Sequence, residues 1–524
     1  MSAFDSEPRY PIGQQNFKML REGNSIYVDK TSYIEKIIRQ DSRYFFLARP
    51  RRFGKSLFLS TLRYFFEGRR ELFKGLYVDS IDWDWKEYPV LNLDLNTDRY
   101  ADPGLLDDIL NRLFQQWEKK YCIIPTDTEH SQRFATIIKR AHETTGQEVV
   151  ILVDEYDKPL VGNLNKDSNF EHYRTKLASL YYNFKSSAEH IKLVFMTGVS
   201  RFSRLSVFSD LNNLNDITFD DAYGDICGIT EKELLDYFHI GIKNLAENRG
   251  VSFDEICHLL KRNYDGYRFA PGGSDIYNPW SVLNCLQKCR IGYYWNQTGI
   301  PTIIAETLRN TDDDLKKILN TRCDPSALVG LDLKSPDPLA LLYQTGYLTI
   351  KDYDPDMDLL TMGLPNREVT DGLFKILLPY YVRVRRGSTE GVIRDILNDL
   401  LSGHPAELMK NIDIFFSGIP YDLKMDNENN FHNALYILLT LIGVKVDAEV
   451  HTSNGRIDLV VKTPDYIYII ELKFDRDSAM AMTQIEEKDY ARPYLNDPRR
   501  IFKIGANFSS TTRHLDTPVI REVI

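Results

Sequence analysis

An uninterrupted apolar run that ends in acidic residues constrains the fold of this chain more than any other feature. Residues 149–153 are Val-Val-Ile-Leu-Val, and Asp154, Glu155 and Asp157 follow. A strand that is apolar on both faces is typical of a parallel sheet with helices on either side. Such α/β folds bind ligands at the carboxyl ends of their strands. The run therefore predicts an α/β domain with a ligand site beside Asp154.

A second apolar strand, Tyr44–Ala48, precedes a loop with the composition of a phosphate-binding loop. The loop reads Arg49-Pro50-Arg51-Arg52-Phe53-Gly54-Lys55-Ser56, and a helix is predicted from Leu57 to Phe66. In such loops backbone N–H groups hold phosphates, the lysine reaches the outer phosphates and the hydroxyl ligates magnesium. Arg49 stands where the common pattern has its first glycine, so the chain must begin the loop along another path. We expect residues 49–57 to bind a nucleotide.

Further candidate residues for nucleotide hydrolysis follow the predicted strands. Asp154 is placed to hold magnesium through water, and Glu155 to polarise the water that attacks the terminal phosphate. A strand over residues 192–201 brings Thr197 or Ser200 beside that water. Arg201 or Arg204 could reach the phosphates, from this chain or from a neighbouring copy. For both arginines a solvated loop charge is an equal alternative.

Two carboxylates and a lysine lie on neighbouring predicted strands near the C-terminus. Residues 456–461 and 466–473 are rich in β-branched and aromatic side chains, and Thr-Pro-Asp turns the chain between them. Asp458 and Glu471 can therefore converge on one face of a hairpin, as a hard divalent cation such as Mg²⁺ requires. Lys473 shares the face of Glu471 and can activate a water near a scissile phosphate. The alternative is a surface hairpin with an ordinary salt bridge.

The hairpin has predicted helices on both sides. Residues 431–443 form an apolar helix that ends in glycine, with Glu428 and His432 one turn apart near its start. After the hairpin, residues 484–490 are predicted to begin a second helix, which starts at Gln484 and includes Tyr490. This order over about residues 425–524 resembles the PD-(D/E)XK nuclease superfamily.

The resemblance implies roles for the residues of this region. Asp458 and Glu471 would be metal ligands, and Lys473 would be the catalytic lysine. The remaining matches are an accessory acid at Glu428, or at Glu449 instead, and the trailing Gln484 and Tyr490 of exonuclease-like members. The alternative is a domain of this fold that only binds DNA.

The family resemblance extends over nearly the whole chain. The phosphate-binding loop and the candidate residues at the strand ends resemble the AAA-ATPase-like domain that is found next to a PD-(D/E)XK domain in many bacterial proteins. The motifs that carry the resemblance are Tyr27-Val28-Asp29-Lys30-Thr31, the loop from Arg49 to Ser56, Val153-Asp154-Glu155-Tyr156-Asp157, Thr197-Gly198-Val199-Ser200-Arg201-Phe202-Ser203, Tyr264-Asp265-Gly266-Tyr267-Arg268-Phe269, Tyr277-Asn278-Pro279-Trp280 and Leu364-Pro365-Asn366-Arg367-Glu368-Val369. It implies ATP as the nucleotide and a variant loop that still functions. A homo-oligomer formed through the ATPase domain is a further hypothesis, and the sequence leaves the oligomeric state open.

Net charge limits how the chain could meet nucleic acid. The 524 residues carry a formal net charge of −10, which gives no overall attraction to a polyanion. Local basic patches would have to provide it. The candidates are Lys261 and Arg262 with Arg268, the cluster Arg383, Arg385 and Arg386, and the set Arg499, Arg500, Lys503 and Arg513.

The middle of the chain predicts a helical lid followed by a winged-helix-like region. Residues 230–233, Thr-Glu-Lys-Glu, have the pattern of a helix start, and residues 341–365 predict a helix end, a strand, a turn and a strand. The expected domains are therefore an ATPase domain over 1–230, the lid and winged-helix-like region over 231–400, and a nuclease-like domain over 401–524. No stretch is apolar enough to cross a membrane and no signal peptide is recognised, so we expect a cytoplasmic protein.

Two classes of function follow from these observations. The first is an ATPase coupled to a Mg²⁺-dependent nuclease, with DNA favoured over RNA as its substrate. The second is a nucleotide-dependent binding or signalling switch whose nuclease fold grips nucleic acid or protein without cleaving. A variant of the first, in which the ATPase half binds nucleotide without hydrolysis, is disfavoured by Glu155, since a pure binder does not need that acid.

Overall fold

We describe the chain from a computed structural model. The structure describes residues 8–96, 100, 102, 104–161, 163, 167–201, 214–295, 304, 307–308, 315–330, 337–381, 389–417, 428–441, 445–452 and 455–523. Within these ranges, the following are described by their backbone alone: 167, 316, 378–381, 389–390, 417, 428–431, 445–452 and 455.

The chain divides into two compact units. Unit 1 consists of residues 1–299 and 321–369, and unit 2 consists of residues 300–320 and 370–524. The predicted domain limits at residues 230 and 400 stay predictions.

Unit 1 is built on a five-stranded parallel sheet. Its strands are β1 (Tyr44–Ala48), β2 (Val90–Asp94), β3 (Val149–Asp154), β4 (Ile191–Gly198) and β5 (Asn215–Asp216). They lie in the order β2-β3-β4-β1-β5, and every neighbouring pair is parallel. All residues of β1 and β3 are buried, as their uninterrupted apolar character predicted. The predicted α/β fold is confirmed, although β4 ends at Gly198 and residues 199–201 lie beyond it.

Helices connect and cover the strands of this sheet. They are α1 (Phe17–Glu22), α2 (Ser32–Ile38), α3 (Lys55–Phe66), α4 (Leu105–Lys120), α5 (His130–Thr145), α6 (Lys158–Val161), α7 (Asp167–Tyr181) and α8 (Asn183–Ser186). Helix α3 begins two residues before the predicted start because Gly54 caps it with φ of 103°. Glycine adopts that left-handed backbone conformation without steric cost. Helix α3 packs against β2, β3 and β4.

The rest of unit 1 combines helices with small sheets. Its elements are β6 (Ile229–Thr230), α9 (Glu231–Arg249), α10 (Phe253–Tyr264), β7 (Ile276–Tyr277), α11 (Pro279–Gln287), β8 (Arg322–Cys323), α13 (Pro338–Thr345), β9 (Thr349–Asp354) and β10 (Leu359–Gly363), with α12 (Leu315–Leu319) of unit 2 between α11 and α13 in the sequence. Thr230 and Glu233 form a capping box at the start of α9, as their spacing predicted. Strands β8, β10 and β9 form an antiparallel sheet, which includes the predicted hairpin.

Unit 2 contains a five-stranded mixed sheet with helices. After α14 (Arg367–Tyr381), which begins in unit 1, its elements are α15 (Thr389–Ser402), α16 (Pro405–Ser417), α17 (Glu428–Leu441), β11 (Lys445–Thr452), β12 (Gly455–Lys462), β13 (Tyr466–Phe474), α18 (Ser478–Glu487), β14 (Arg500–Phe508) and β15 (Val519–Val523). The strand order is β11-β12-β13-β14-β15, and only β13 and β14 are parallel among the described strands of this sheet. The predicted hairpin is confirmed as β12 and β13.

Helix α18 corrects one prediction. The sequence pattern placed its start at Gln484, whereas the helix begins at Ser478 and ends at Glu487. Asp477 sets the earlier start, because its side chain accepts a hydrogen bond from the backbone N–H of Ala479. Tyr490 therefore lies beyond the helix.

The position of α18 depends on a glycine in the neighbouring strand. Helix α18 packs against β13, β14 and β15. A Cβ atom on Gly505 of β14 would lie 2.6 Å from the backbone nitrogen of Met482 and 2.7 Å from the carbonyl oxygen of Ser478. Only glycine allows the helix this close to the sheet.

Among the residues that the structure describes, no helix combines the length and the apolar character that crossing a membrane requires.

Candidate functional sites

The loop between β1 and α3 closes on itself through a lysine. Lys55, which is 4% exposed, donates from Nζ to the carbonyl oxygens of Arg49 at 2.9 Å and Pro50 at 3.2 Å. Arg52 has φ of 68° and Gly54 has φ of 103°, so two residues with left-handed backbone conformations precede the start of the helix. The loop thereby presents the first turn of α3, with Ser56, at the carboxyl edge of the sheet.

Arg49 points into the interior of unit 1. Its guanidinium donates to the carbonyl oxygens of Ala48 at 2.9 Å, Thr218 at 2.8 Å and Tyr223 at 3.1 Å, and it lies 4.7 Å from the centre of the Phe269 ring. The side chain is 1% exposed. These contacts fix the start of the loop where the common pattern uses glycine. The Arg49 side chain is thus committed to the interior, and its backbone N–H donates to the carbonyl oxygen of Gly198 at 3.1 Å.

The acids after β3 have hydrogen-bond donors from β4 and from the residues after it. The Thr197 hydroxyl donates to Oδ1 of Asp154 at 2.6 Å. The Asp157 carboxylate accepts from the backbone N–H groups of Val199 at 3.1 Å and Ser200 at 2.7 Å. Burial raises the pKa of Asp157, and these two N–H groups act against that shift. Thr197 thus contacts Asp154, whereas the backbone N–H of Ser200 donates to Asp157. The predicted place of Thr197 or Ser200 beside the attacking water stays a prediction.

Glu155 stands at a strained position next to a lysine. Its φ of 49° is left-handed, which is uncommon for a residue with a side chain. Its Oε2 atom lies 3.6 Å from Nζ of Lys158, and that ammonium also donates to Oδ1 of Asn96 at 2.8 Å. Asn96 follows β2 and Lys158 opens α6, so three elements converge on this carboxylate.

A cleft of about 440 Å³ lies beside the phosphate-binding loop, Glu155 and Lys158. Its lining includes, from the predicted loop and acids, Arg51, Arg52, Gly54, Lys55, Ser56, Leu57 and Glu155. The guanidinium of Arg52 lies 3.4 Å from the centre of the Trp280 ring, and burial together with Arg51 lowers the pKa of Arg52. Four cationic side chains and one carboxylate line the described cleft, with Lys158 as the fourth cation. This excess of positive charge favours an anionic ligand.

Other predicted residues of this region lie outside the cleft lining. These are Arg49, Pro50, Phe53, Asp154, Thr197 and Arg201. Phe53 packs edge-on against Tyr267 and Phe269. Arg201 forms an ion pair with Asp216, with 2.9 Å between Nε and Oδ2. Arg204 lies outside the described residues.

The sequence interpretation missed several residues of the cleft. They are Pro11, Gly13, Gln14, Gln15, Asn96, Lys158, Pro279, Trp280 and Leu283. For Lys158 the signal was its position three residues after Glu155. An adjoining cavity of about 90 Å³ has a largely apolar lining and shares Pro11, Gly54, Leu57, Pro279 and Leu283 with the cleft.

In unit 2 the register of the hairpin brings the two carboxylates together. Leu459 pairs with Ile470, so the next positions along the strands, Asp458 and Glu471, face each other. The Asp458 carboxylate accepts from the backbone N–H of Leu472 at 2.8 Å. Lys473 donates to Oε1 of Glu471 at 3.0 Å. The predicted carboxylate, carboxylate and lysine set is thus assembled on one face.

Glu471 is a buried carboxylate with only one of its two oxygens hydrogen-bonded among the described residues. Its residue is 1% exposed, and Oε2 has no hydrogen-bond partner among the described residues. Burial and, to a smaller extent, the nearby Asp458 carboxylate raise the pKa of Glu471 to about 7, although Lys473 acts against both effects. An unpartnered buried carboxylate oxygen beside a second carboxylate suits a hard cation, which prefers oxygen ligands. The donor set therefore fits a divalent metal ion.

The predicted supporting residues of this site have different outcomes. Tyr490 donates from its hydroxyl to the carbonyl oxygen of Arg456 at 2.7 Å, and Gln484 donates to the same hydroxyl at 3.2 Å. The pair thus braces β12 two residues before Asp458. Glu428 opens α17 and Glu449 lies in β11, but their side chains fall outside the described ones. No group of three or more His, Cys, Asp or Glu residues suited to a metal occurs in the described part of the chain.

Most of the predicted basic patches are engaged in ion pairs. Lys261 pairs with Glu231, Arg268 with Asp275, Arg499 with Asp497 and Arg500 with Glu522. These acids reduce the attraction that the patches could exert on phosphates. The cluster at residues 383–386 lies outside the described residues.

Comparisons with known proteins give a family match for each of the two units. The fold and the sites define an α/β protein with a phosphate-loop unit and a nuclease-like unit. A family model described as a predicted AAA-ATPase matches residues 11–208, and a model of the PD-(D/E)XK nuclease superfamily matches residues 426–517. An Azotobacter chroococcum mcd 1 protein, described as an uncharacterized protein in the vnfD 5' region, is 35% identical over 526 residues, which cover 97% of this chain and 98% of the relative. The chain belongs to the family that joins an AAA-ATPase-like domain to a PD-(D/E)XK nuclease superfamily domain.

Proposed function

We propose that this protein binds and hydrolyses ATP in unit 1 and cleaves DNA with Mg²⁺ in unit 2, and that the nucleotide controls cleavage. The observation that carries the nuclease half is the pair of facing carboxylates, of which Glu471 is buried, with Lys473 on the same face. The observation that supports the ATPase half is the cation-lined cleft at the phosphate loop.

The cleft offers the groups that a nucleoside triphosphate needs. Lys55 would turn from the loop carbonyls to the outer phosphates, and the backbone N–H groups at the start of α3 would hold them. Ser56 and Asp154 would hold the Mg²⁺ that accompanies the nucleotide, with Asp154 acting through water. Glu155 would orient the attacking water. The adjoining apolar cavity would take the base, and the AAA-ATPase-like family favours adenine.

Cleavage would use three side chains of the hairpin. Asp458 and Glu471 would hold Mg²⁺, which supplies a Lewis acid for the scissile phosphate when bound. Glu471 must be ionised to act as a ligand. The negative charge of the neighbouring Asp458 carboxylate makes cation binding at this position favourable. Lys473, held 3.0 Å from Glu471, would orient the attacking water and stabilise the charge that develops on the phosphate. Gln484 and Tyr490 would keep β12 in register.

Cleavage by the purified full chain tests both halves of the proposal. Linear, circular and single-stranded DNA, and RNA of the same sequence, are incubated with Mg²⁺, with and without ATP, beside Asp458→Ala and Glu155→Gln variants. The proposal expects DNA cleavage that requires Asp458 and changes with ATP. In the Glu155→Gln variant it expects ATP binding without hydrolysis.

Other results would separate the alternatives. Cleavage that Asp458→Ala leaves unchanged would exclude the hairpin as the active site. ATP hydrolysis with Mg²⁺-independent DNA binding and no cleavage would favour the nucleotide-dependent binding switch. If RNA were cleaved faster than DNA, RNA would be the preferred substrate.

A further inference from the structure

We propose that Lys158 distinguishes a nucleoside triphosphate from a diphosphate and that binding of the terminal phosphate by Lys158 releases Glu155. The inference rests on the proposed ATPase function of unit 1. It concerns a residue outside the phosphate loop, and it gives the cleft a means of sensing how many phosphates are bound.

The position of Lys158 is set by contacts with two strand ends. Its ammonium donates to Oδ1 of Asn96 at 2.8 Å and lies 3.6 Å from Oε2 of Glu155. Asn96 follows β2 and Glu155 follows β3, and these strands are neighbours in the sheet. Lys158 also lines the same cleft as Lys55. Two lysines from different strand ends thus face one cavity.

The contact between Lys158 and Glu155 is longer than the contact with Asn96. Charge-assisted hydrogen bonds between an ammonium and a carboxylate are about 2.7–2.9 Å long, and 3.6 Å exceeds that range. An ammonium has three N–H donors, of which Asn96 takes one at normal length. The other donors can therefore turn to a phosphate oxygen that enters the cleft. Asn96 would hold the lysine in place while its second partner changes.

Glu155 is the group that would gain from this exchange. The side chains of Lys158 and Glu155 are 27% and 13% exposed, so water screens their attraction only in part. A carboxylate that an ammonium neutralises accepts a proton from water less readily. When Lys158 binds the terminal phosphate, Glu155 can instead accept a hydrogen bond from the attacking water.

Nucleotide affinities provide the test. The full chain is titrated by calorimetry with AMP-PNP and with ADP, both with Mg²⁺, and Lys158→Met is compared with wild type. Loss of one charged hydrogen bond predicts about tenfold weaker AMP-PNP binding, while ADP binding stays within about twofold. Asn96→Ala should reduce the preference for AMP-PNP in the same direction by about threefold. Lys158→Arg, which keeps the charge, should retain most of the preference.

The control is a lysine of the same unit. Lys139 lies on α5, is 62% exposed and pairs with Glu143 at 4.0 Å, so Lys139→Met should leave both affinities unchanged. Tryptophan fluorescence establishes that each variant folds.

Equal weakening of AMP-PNP and ADP in Lys158→Met would overturn the inference, because a structural or general electrostatic role does not discriminate the terminal phosphate. Unchanged affinities for both would overturn it as well. In either case the ATPase proposal stands if wild type hydrolyses ATP. A wild-type chain that binds neither nucleotide would instead remove the proposed function of unit 1.

Discussion

The acids of the two candidate sites are held in opposite ways. In unit 1, Asp154 accepts from the Thr197 hydroxyl and Asp157 accepts from two backbone N–H groups. In unit 2, Glu471 is equally buried, but its Oε2 atom has no hydrogen-bond partner in the described part of the chain. A buried carboxylate without donors costs free energy unless a proton or a cation compensates it.

This difference separates a site that is organised internally from one that depends on a cation. The internal hydrogen bonds of unit 1 hold the phosphate loop and its acids in position by themselves. In unit 2, Lys473 compensates only one oxygen of Glu471, and Asp458 adds a second negative charge. Substitutions should therefore act mainly on stability around the phosphate loop, and mainly on cation binding and cleavage in the hairpin.

The largest effect is expected at Lys473. Lys473→Met keeps the length of the side chain and removes its charge, so it removes the group that would assist the attacking water. General acid–base assistance contributes about 10²–10⁴-fold to a rate, and we expect the cleavage rate to fall by that amount. A supercoiled-plasmid nicking assay with Mg²⁺ measures the loss.

A matched lysine controls for charge near the nuclease site. Lys488 follows α18 and is exposed. Lys488→Met should cleave within about twofold of wild type, since isolated surface charges contribute little. If Lys473→Met and Lys488→Met lowered cleavage equally, Lys473 would act only through general attraction for DNA.

Arg49 should give the largest loss of stability in unit 1. Arg49→Gly restores the glycine of the common loop pattern, yet it removes the donor for the carbonyl groups of Ala48, Thr218 and Tyr223. Buried polar groups without partners predict a loss of about 3 kcal/mol in the free energy of unfolding. Urea unfolding followed by tryptophan fluorescence reports unit 1 selectively, because residues 83, 85, 117, 280 and 295 are the five tryptophans and all lie there.

An exposed arginine provides the comparison for Arg49. Arg39 is 69% exposed and pairs with Glu35 one turn away on the surface. Arg39→Gly should cost less than about 1 kcal/mol. A stable Arg49→Gly variant would mean that glycine can take over the path of the loop, and the interpretation of Arg49 as its structural replacement would be wrong.

The two sites also differ in how far the sequence could predict them. The hairpin was predictable because two β-branched runs flank one turn, and a turn fixes the register that makes Asp458 face Glu471. The role of Arg49 was not predictable, since its partners Thr218 and Tyr223 lie about 170 residues later in the chain. Lys158 was missed because its partner Asn96 lies beyond the end of another strand, β2. Local patterns predict elements and turns, whereas contacts across the sheet depend on tertiary packing.

A smaller effect on stability is expected at Glu471. Burial raises its pKa from an ordinary value of 4.5 to about 7, so between these pH values the folded chain holds a proton that the unfolded chain has released. The free energy of unfolding of unit 2 should therefore fall as pH rises through this window. In metal-free protein at pH 8, Glu471→Gln should raise it by on the order of 2 kcal/mol, and near pH 4 it should have little effect.

Hydrogen exchange of peptides from residues 456–474 measures this change, because unit 2 contains no tryptophan. Added Mg²⁺ should protect the same peptides in wild type and not in Glu471→Gln. A variant that is less stable than wild type at pH 8 would mean that Glu471 is satisfied within the fold, and the contrast between the two sites would disappear.

The smallest effect is expected at Tyr490, which braces the hairpin from outside the carboxylate pair. Tyr490→Phe removes the hydrogen bond to the Arg456 carbonyl and the acceptor for Gln484, two residues before Asp458. One hydrogen bond is worth about 1 kcal/mol, which corresponds to roughly a fivefold loss in cleavage rate. Thr483→Ala, which removes an exposed hydroxyl on α18 that bonds within its own helix, is the control and should leave the rate unchanged. A loss of several hundredfold in Tyr490→Phe would instead assign the hydroxyl a direct part in cleavage, because displacement of β12 alone does not account for a change of that size.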